Sequence, residues 1–153
     1  MKRAVLLAVA LAAIPISAAL AQAPVPAAMT PEQIVQARES GFILSRGSFV
    51  TMKAAAEAGV DPKQLVGPSR SLARWARTIP TLFPAGTNLP TSHAAPTVWS
   101  DRAGFEARAA AYADAARQLA ETAQTGDRAA FLTQWSAVAA TCAACHETYK
   151  NPD

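Results

Sequence analysis

The chain has 153 residues, 14 Lys and Arg against 11 Asp and Glu, 51% hydrophobic residues and a pI near 9.2. That length supports one domain with a real core. No basic patch suggests nucleic acid, and no paired carboxylates or nucleophile–base set suggests a hydrolase or transferase, so the chain does not read as an enzyme.

Lys2 and Arg3 open an apolar run from Ala4 to Leu20. Ala19-Leu20-Ala21 is a small-x-small cleavage site, so residues 1–21 read as a secretory signal peptide. The run is short for a membrane span and has no basic flank on its far side. The mature chain is therefore expected to begin at Gln22, in the periplasm and free of the membrane. Without the leader, 12 basic residues face 11 acidic ones, a net charge of +1. Residues 22–29, rich in Ala and Pro, read as a flexible arm ahead of a domain spanning 30–150.

The first helix has a strong start. Thr30 is the expected N-cap, Pro31 the first helical residue and Gln33 the partner of a capping box. It is expected to reach about Ala58 and stop at Gly59. Ile34, Gly41, Ser45, Phe49 and Met52 mark one face, with Phe42 beside it. Asp61-Pro62 opens the second helix in the same way, and Gly67-Pro68 predicts a kink or restart, because Pro68 has no backbone N–H to give. Leu72, Trp75 and Ile79 continue its apolar stripe, while Arg70, Arg74 and Arg77 lie on one side and read as a solvated face.

Residues 80–98 carry Pro80, Pro84, Pro90 and Pro96 with Gly86 and Asn88, which reads as a long irregular crossover. The third helix is expected from Ser100 or Asp101 to about Gln124, with Phe105, Tyr112, Ala116, Leu119 and Ala123 at bundle spacing. Gly126 ends it and Asp127 caps the fourth, where Phe131, Trp135, Val138 and Tyr149 keep the same rhythm. No segment alternates like a strand. The expectation is an all-α, antiparallel four-helix bundle. The tryptophans Trp75, Trp99 and Trp135 read as packing anchors.

Cys142-Ala143-Ala144-Cys145-His146 carries the chemistry. Two thiols three residues apart, followed at once by a histidine, read as the attachment site of one covalent haem c near the C-terminus. Each thiol can add to a haem vinyl group, and the adjacent imidazole can supply the proximal iron ligand. A disulfide or a zinc site is the weaker reading, since zinc normally takes four ligands and only three cluster here. At i, i+3 and i+4 on the fourth helix, Cys142, Cys145 and His146 share one face. The haem then stands against the bundle, its distal face towards another helix.

These residues resemble those of the cytochrome c′ family. The resemblance covers about residues 31–150. It rests on Cys142-Ala143-Ala144-Cys145-His146 with Tyr149-Lys150 behind it, Arg38-Glu39-Ser40-Gly41-Phe42, Phe83-Pro84-Ala85-Gly86-Thr87 and Trp99-Ser100. It implies thioethers at Cys142 and Cys145 and iron ligation by His146. It implies that Arg38 lies near a haem propionate, and that Glu39, Thr87 and Asn88 line the haem edge. Phe42 takes the distal position over a vacant sixth site, where a phenyl ring crowds the iron without ligating it. Electron-carrying relatives place a methionine there. Here Met52 lies ten residues beyond Phe42 and reads as core, and His93 reads as a surface loop residue.

The resemblance therefore implies a five-coordinate haem protein that binds nitric oxide and carbon monoxide, with a protective role against nitric oxide. A low-spin electron-transfer cytochrome of the same fold is the alternative. An unidentified redox partner and a homodimer, formed through small and apolar residues of the first two helices, are also implied. Where some members carry an arginine after the tyrosine, this chain has Lys150, cationic but without the planar fork.

Overall fold

The computed structural model describes residues 28–152; the expected signal peptide and most of the expected arm lie outside them. Four long helices form the bundle: α1 (Pro31–Glu57), α2 (Val66–Thr78), α4 (Arg102–Thr125) and α5 (Arg128–Tyr149), with a one-turn α3 (Thr97–Ser100) before α4. Among the described residues there is no strand, only an isolated bridge between Ala94 and Lys150.

The helix ends follow local chemistry. Thr30 and Gln33 form the reciprocal capping box, satisfying two of the amides that a helix start leaves open. Gly59 at φ 95° and Gly126 at φ 77° turn the chain after α1 and α4, where a left-handed backbone favours glycine. Asp101 and Asp127 cap α4 and α5 through the amides of Gly104 and Ala130.

The restart expected near Gly67-Pro68 is present, and two boundaries shift in detail. The second helix opens as a 3₁₀ turn over Pro62–Leu65, and the α-helix restarts at Val66, just ahead of Gly67-Pro68. Pro68 then sits in the first turn, where its missing N–H has no partner to lose. Thr97–Ser100 folds as a separate turn, so the third long helix begins at Arg102.

Two apolar clusters fill the bundle. Met52, Leu72, Leu119, Phe131 and Val138 anchor the first, where Trp135 stacks on Phe49 at 4.2 Å and donates to the Phe49 carbonyl. Ile79, Phe83, Val98, Phe105 and Tyr149 anchor the second. On α1 the fully buried positions are Val35, Arg38, Met52 and Ala56, while Ile34, Gly41, Ser45 and Phe49 of the expected face are half-buried. No described helix is long and apolar enough to cross a membrane.

Candidate functional site

The cysteine–histidine motif lies in the last two turns of α5. Cys142 and Cys145 are unbridged and half-buried, and His146 is exposed. Burial pushes both thiols above the ordinary value of 9.0; at Cys145 the neighbouring Cys142 adds to the rise and Arg108 opposes it. Both sulfurs are therefore protonated thiols at neutral pH, within reach of a flat group laid along α5.

Cys145 and Phe42 pack against the same second cluster, together with Trp75, Leu82, Ala94, Trp99 and Tyr112. Phe42 meets Trp75 edge-on at 5.3 Å and Phe83 at 6.3 Å. This arrangement needs a glycine at position 41. A Cβ there would lie 2.2 Å from the Trp75 ring, so only Gly41 lets α2 present that indole so close to α1. Met52 is 2% exposed in the other cluster, where its sulfur accepts from Ser69. It is core, as the sequence indicates.

The crossover joins the two walls of this region. At one end Arg38 of α1, only 1% exposed, donates through Nη1 to the Leu82 carbonyl and the Thr87 hydroxyl. Its Nη2 donates to the Thr87 carbonyl and to Ser92. The guanidinium also stacks 4.3 Å from the Phe83 ring centroid. Burial lowers its pKa, and the charge of Glu39 opposes that shift. At the other end the crossover grips the end of α5. Ala95 N–H donates to the Tyr149 carbonyl, Asn151 N–H to the His93 carbonyl, and the Asn151 side chain to the Ala94 carbonyl. Thr97 donates to the Thr148 carbonyl, and the Tyr149 phenol donates to Asp101 at 2.6 Å.

Of the other residues singled out by sequence, Thr87 is buried on Arg38, Asn88 is exposed, and Glu39 accepts from the His93 amide at 3.4 Å. Sequence reading missed Ser92, Arg102 and Asp101. Arg102 donates to the carbonyls of Phe83 and Pro80, tying the crossover to α4. Asp101 was expected only as one of two candidate starting residues of the third long helix. The second cluster also contains a polar group that periodicity hides: Trp75 Nε1 is buried with no hydrogen-bond partner.

The donor set fits a covalent haem. Two protonated thiols and an imidazole share one helix face, an aromatic ring from the facing helix packs on the same cluster, and one buried donor there is unsatisfied. Among the described residues no group of three or more His, Cys, Asp or Glu is arranged to hold a bare metal ion.

Comparison with known proteins points the same way. The family model described as Cytochrome C′ matches residues 33–150. The chain is 34% identical over 90 residues to cytochrome c′ of Rhodospirillum rubrum, covering 58% of this chain and 61% of that protein. The match therefore spans less than two thirds of that relative's length. It is 30% identical over 123 residues to cytochrome c′ of Rubrivivax gelatinosus, covering 78% and 95%. Among solved structures, a ferrous variant of cytochrome c prime from Alcaligenes xylosoxidans with bound NO aligns at TM-score 0.76 and 27% identity, covering 82% and 99%. A carbon monoxide-bound variant from the same organism aligns at 0.74 and 27%, covering 80% and 98%. A cytochrome c′ described by its ligand-controlled dimer dissociation aligns at 0.76 and 26%, covering 82% and 100%.

Proposed function

The chain belongs to the cytochrome c′ family, and from that footing we propose that it is a periplasmic haem protein whose five-coordinate iron binds nitric oxide and carbon monoxide. Haem c is carried covalently through the two cysteines, Cys142 and Cys145. When bound, it supplies an iron centre that takes a diatomic ligand.

The chain's own residues do the rest. His146 on α5 would ligate the iron, and the crossover's grip on residues 148–151 fixes the end of that helix. Phe42, held by Trp75 and Phe83, would cover the distal side of the haem and crowd any ligand that enters there. Arg38 keeps the crossover against α1, beside Glu39 and Thr87, where the haem edge and a propionate would lie. Asn88 borders the same edge from the exposed side of the crossover. The observation that carries the reading is the placement of Phe42 with Cys145 on one cluster while Met52 is locked in the other. The cluster that Phe42 packs on includes no methionine to serve as a sixth ligand. A role in protecting against nitric oxide follows from that ligand preference.

The outer face of α1 supports a homodimer. Ile43 and Leu44 are 72% and 74% exposed, Val50 is 53% exposed, and Gly47 leaves open space between them. Such a run of large apolar side chains favours a second copy over water.

The test is an absorption spectrum of the mature protein, oxidised and dithionite-reduced, with and without carbon monoxide. A broad high-spin reduced Soret band that sharpens with carbon monoxide supports the open sixth site. A sharp low-spin reduced spectrum indifferent to carbon monoxide replaces this reading with the electron carrier.

A further inference from the structure

Residues 62–100 contain no Asp or Glu, yet they include Lys63, Arg70, Arg74 and Arg77. The structure shows where three of those cations lie. Arg70, Arg74 and Arg77 recur at i, i+4 and i+7 along α2, a row about 10 Å long at 1.5 Å per residue. They form one wall of a groove between α2 and α4, with Ala73 and Ala120 on its floor. Arg117 and Glu121 stand on the other wall and bond each other at 2.7 Å.

Several other surface cations are paired where these three are not. Arg102, Arg117 and Lys53 each face a glutamate one turn along their own helix. Arg70, Arg74 and Arg77 are exposed and have no carboxylate on α2 to meet. The only acid lining the groove, Glu121, is already held by Arg117. The groove therefore presents three uncompensated positive charges over an alanine floor. Planar guanidinium forks in a row suit carboxylates on a protein surface, and the small floor lets a partner's backbone approach.

The same helix faces the haem region on its other side. Trp75 lies between Arg74 and Arg77 in sequence and turns inward onto Phe42. A partner seated on the arginines is separated from the Phe42 side by roughly one helix diameter, about 10 Å.

We propose that the α2–α4 groove is the docking site for an acidic one-electron donor protein, with Arg70, Arg74 and Arg77 binding its carboxylates. This rests on the haem-protein reading for its purpose, though the docking itself does not require it. The donor's cofactor loses one electron, the ferric haem protein gains it, and no bond is made or broken.

The experiment uses the haem-loaded protein with reduced flavodoxin as an acidic donor and photoreduced riboflavin as an uncharged one. The variants are the triple R70Q/R74Q/R77Q and a control triple, R46Q/K53Q/R128Q, on other faces. Association with immobilised flavodoxin is measured alongside stopped-flow reduction. At low salt the groove triple is expected to associate and to be reduced about tenfold more slowly by flavodoxin, with a flattened salt dependence, relative to its rate with riboflavin. Equal flavodoxin rates for the wild type and the groove triple overturn the proposal. So does an equal loss in the control triple, which would report net charge alone. Inorganic phosphate bound by the arginines, with flavodoxin association unaffected by the triple, replaces the protein partner with a small anion. Flavodoxin docking that depends on the groove, in a protein that riboflavin does not reduce, upholds the docking and refutes the haem reading.

Discussion

Arg38 and Thr87 are joined twice: Nη1 donates to the threonine hydroxyl and Nη2 to its carbonyl, each at 2.9 Å. The two residues are 49 positions apart. Their pairing holds the crossover across the mouth of the bundle, and a buried guanidinium tolerates that position only because its donors are used.

Thr87→Val is the smallest change that tests this anchor. It removes one of the two acceptors of Nη1 and the hydroxyl's own bond to the Pro84 carbonyl, leaving the Leu82 and Thr87 backbone contacts intact. A loss of about 1.5–3 kcal/mol is expected, the range for hydrogen bonds to charged groups. Urea unfolding of the haem-loaded protein measures it, and a change under 0.5 kcal/mol on that ~1 kcal/mol scale would remove the anchor from the account.

Gly41→Ala sets two effects against each other. In a helix interior alanine is favoured over glycine by about 1 kcal/mol. Here the new Cβ would fall 2.2 Å from the Trp75 ring, and overpacking costs about 1–3 kcal/mol. Net destabilisation is expected, with most of it recovered in Gly41→Ala/Trp75→Leu. Additive losses in that double variant would show that the contact is not what excludes the methyl.

Phe42→Ala opens the distal side. Carbon monoxide should associate about tenfold faster, equivalent to ~1.4 kcal/mol of steric barrier, and bind more tightly. Flash photolysis gives the rate, and an unchanged value would place the phenyl ring outside the ligand's path.

Stability is expected to fall as the pH rises past the ordinary tyrosine value of 10.0. Burial raises the Tyr112 phenol; the hydrogen bond to Asp101, then burial, raises Tyr149. A phenol held protonated in the folded chain contributes stability that is complete below its unfolded pKa. Above it, the unfolded chain releases the proton first and unfolding gains. Tyr112→Phe should reduce the alkaline loss, and urea midpoints between about pH 8 and 11 will show whether it does.

Leu44→Glu places a charge on the exposed apolar face of α1, where the native side chain is 74% exposed in the single chain. The monomer's unfolding should change by less than about 0.5 kcal/mol, as for an ordinary surface position. Sedimentation should shift from dimer to monomer. A wild-type protein that sediments as a monomer at every accessible concentration would remove the face from consideration.

The sequence alone determined what local chemistry determines. Thr30 and Asp127 as caps, Gly59 and Gly126 as stops, and the helical spacing of Phe105 to Ala123 act within a few residues, so they are readable without a fold. The spacing of Cys142, Cys145 and His146 is likewise a property of one helix. Tertiary structure decided the rest, because the deciding contacts join residues far apart in the chain. The restart at Val66 is partly local, since proline in a first turn costs the ladder nothing. The close approach of Gly41 to Trp75 is visible only once α1 and α2 cross. The same holds for Arg38, a charged residue buried because its acceptors lie 44 to 54 positions away. On α2 the arginine row was legible as a stripe, but α4 supplied Arg117, Glu121 and Ala120 and made it a groove. Periodicity shows which face of a helix is turned inward; the packing of whole helices decides what that face meets.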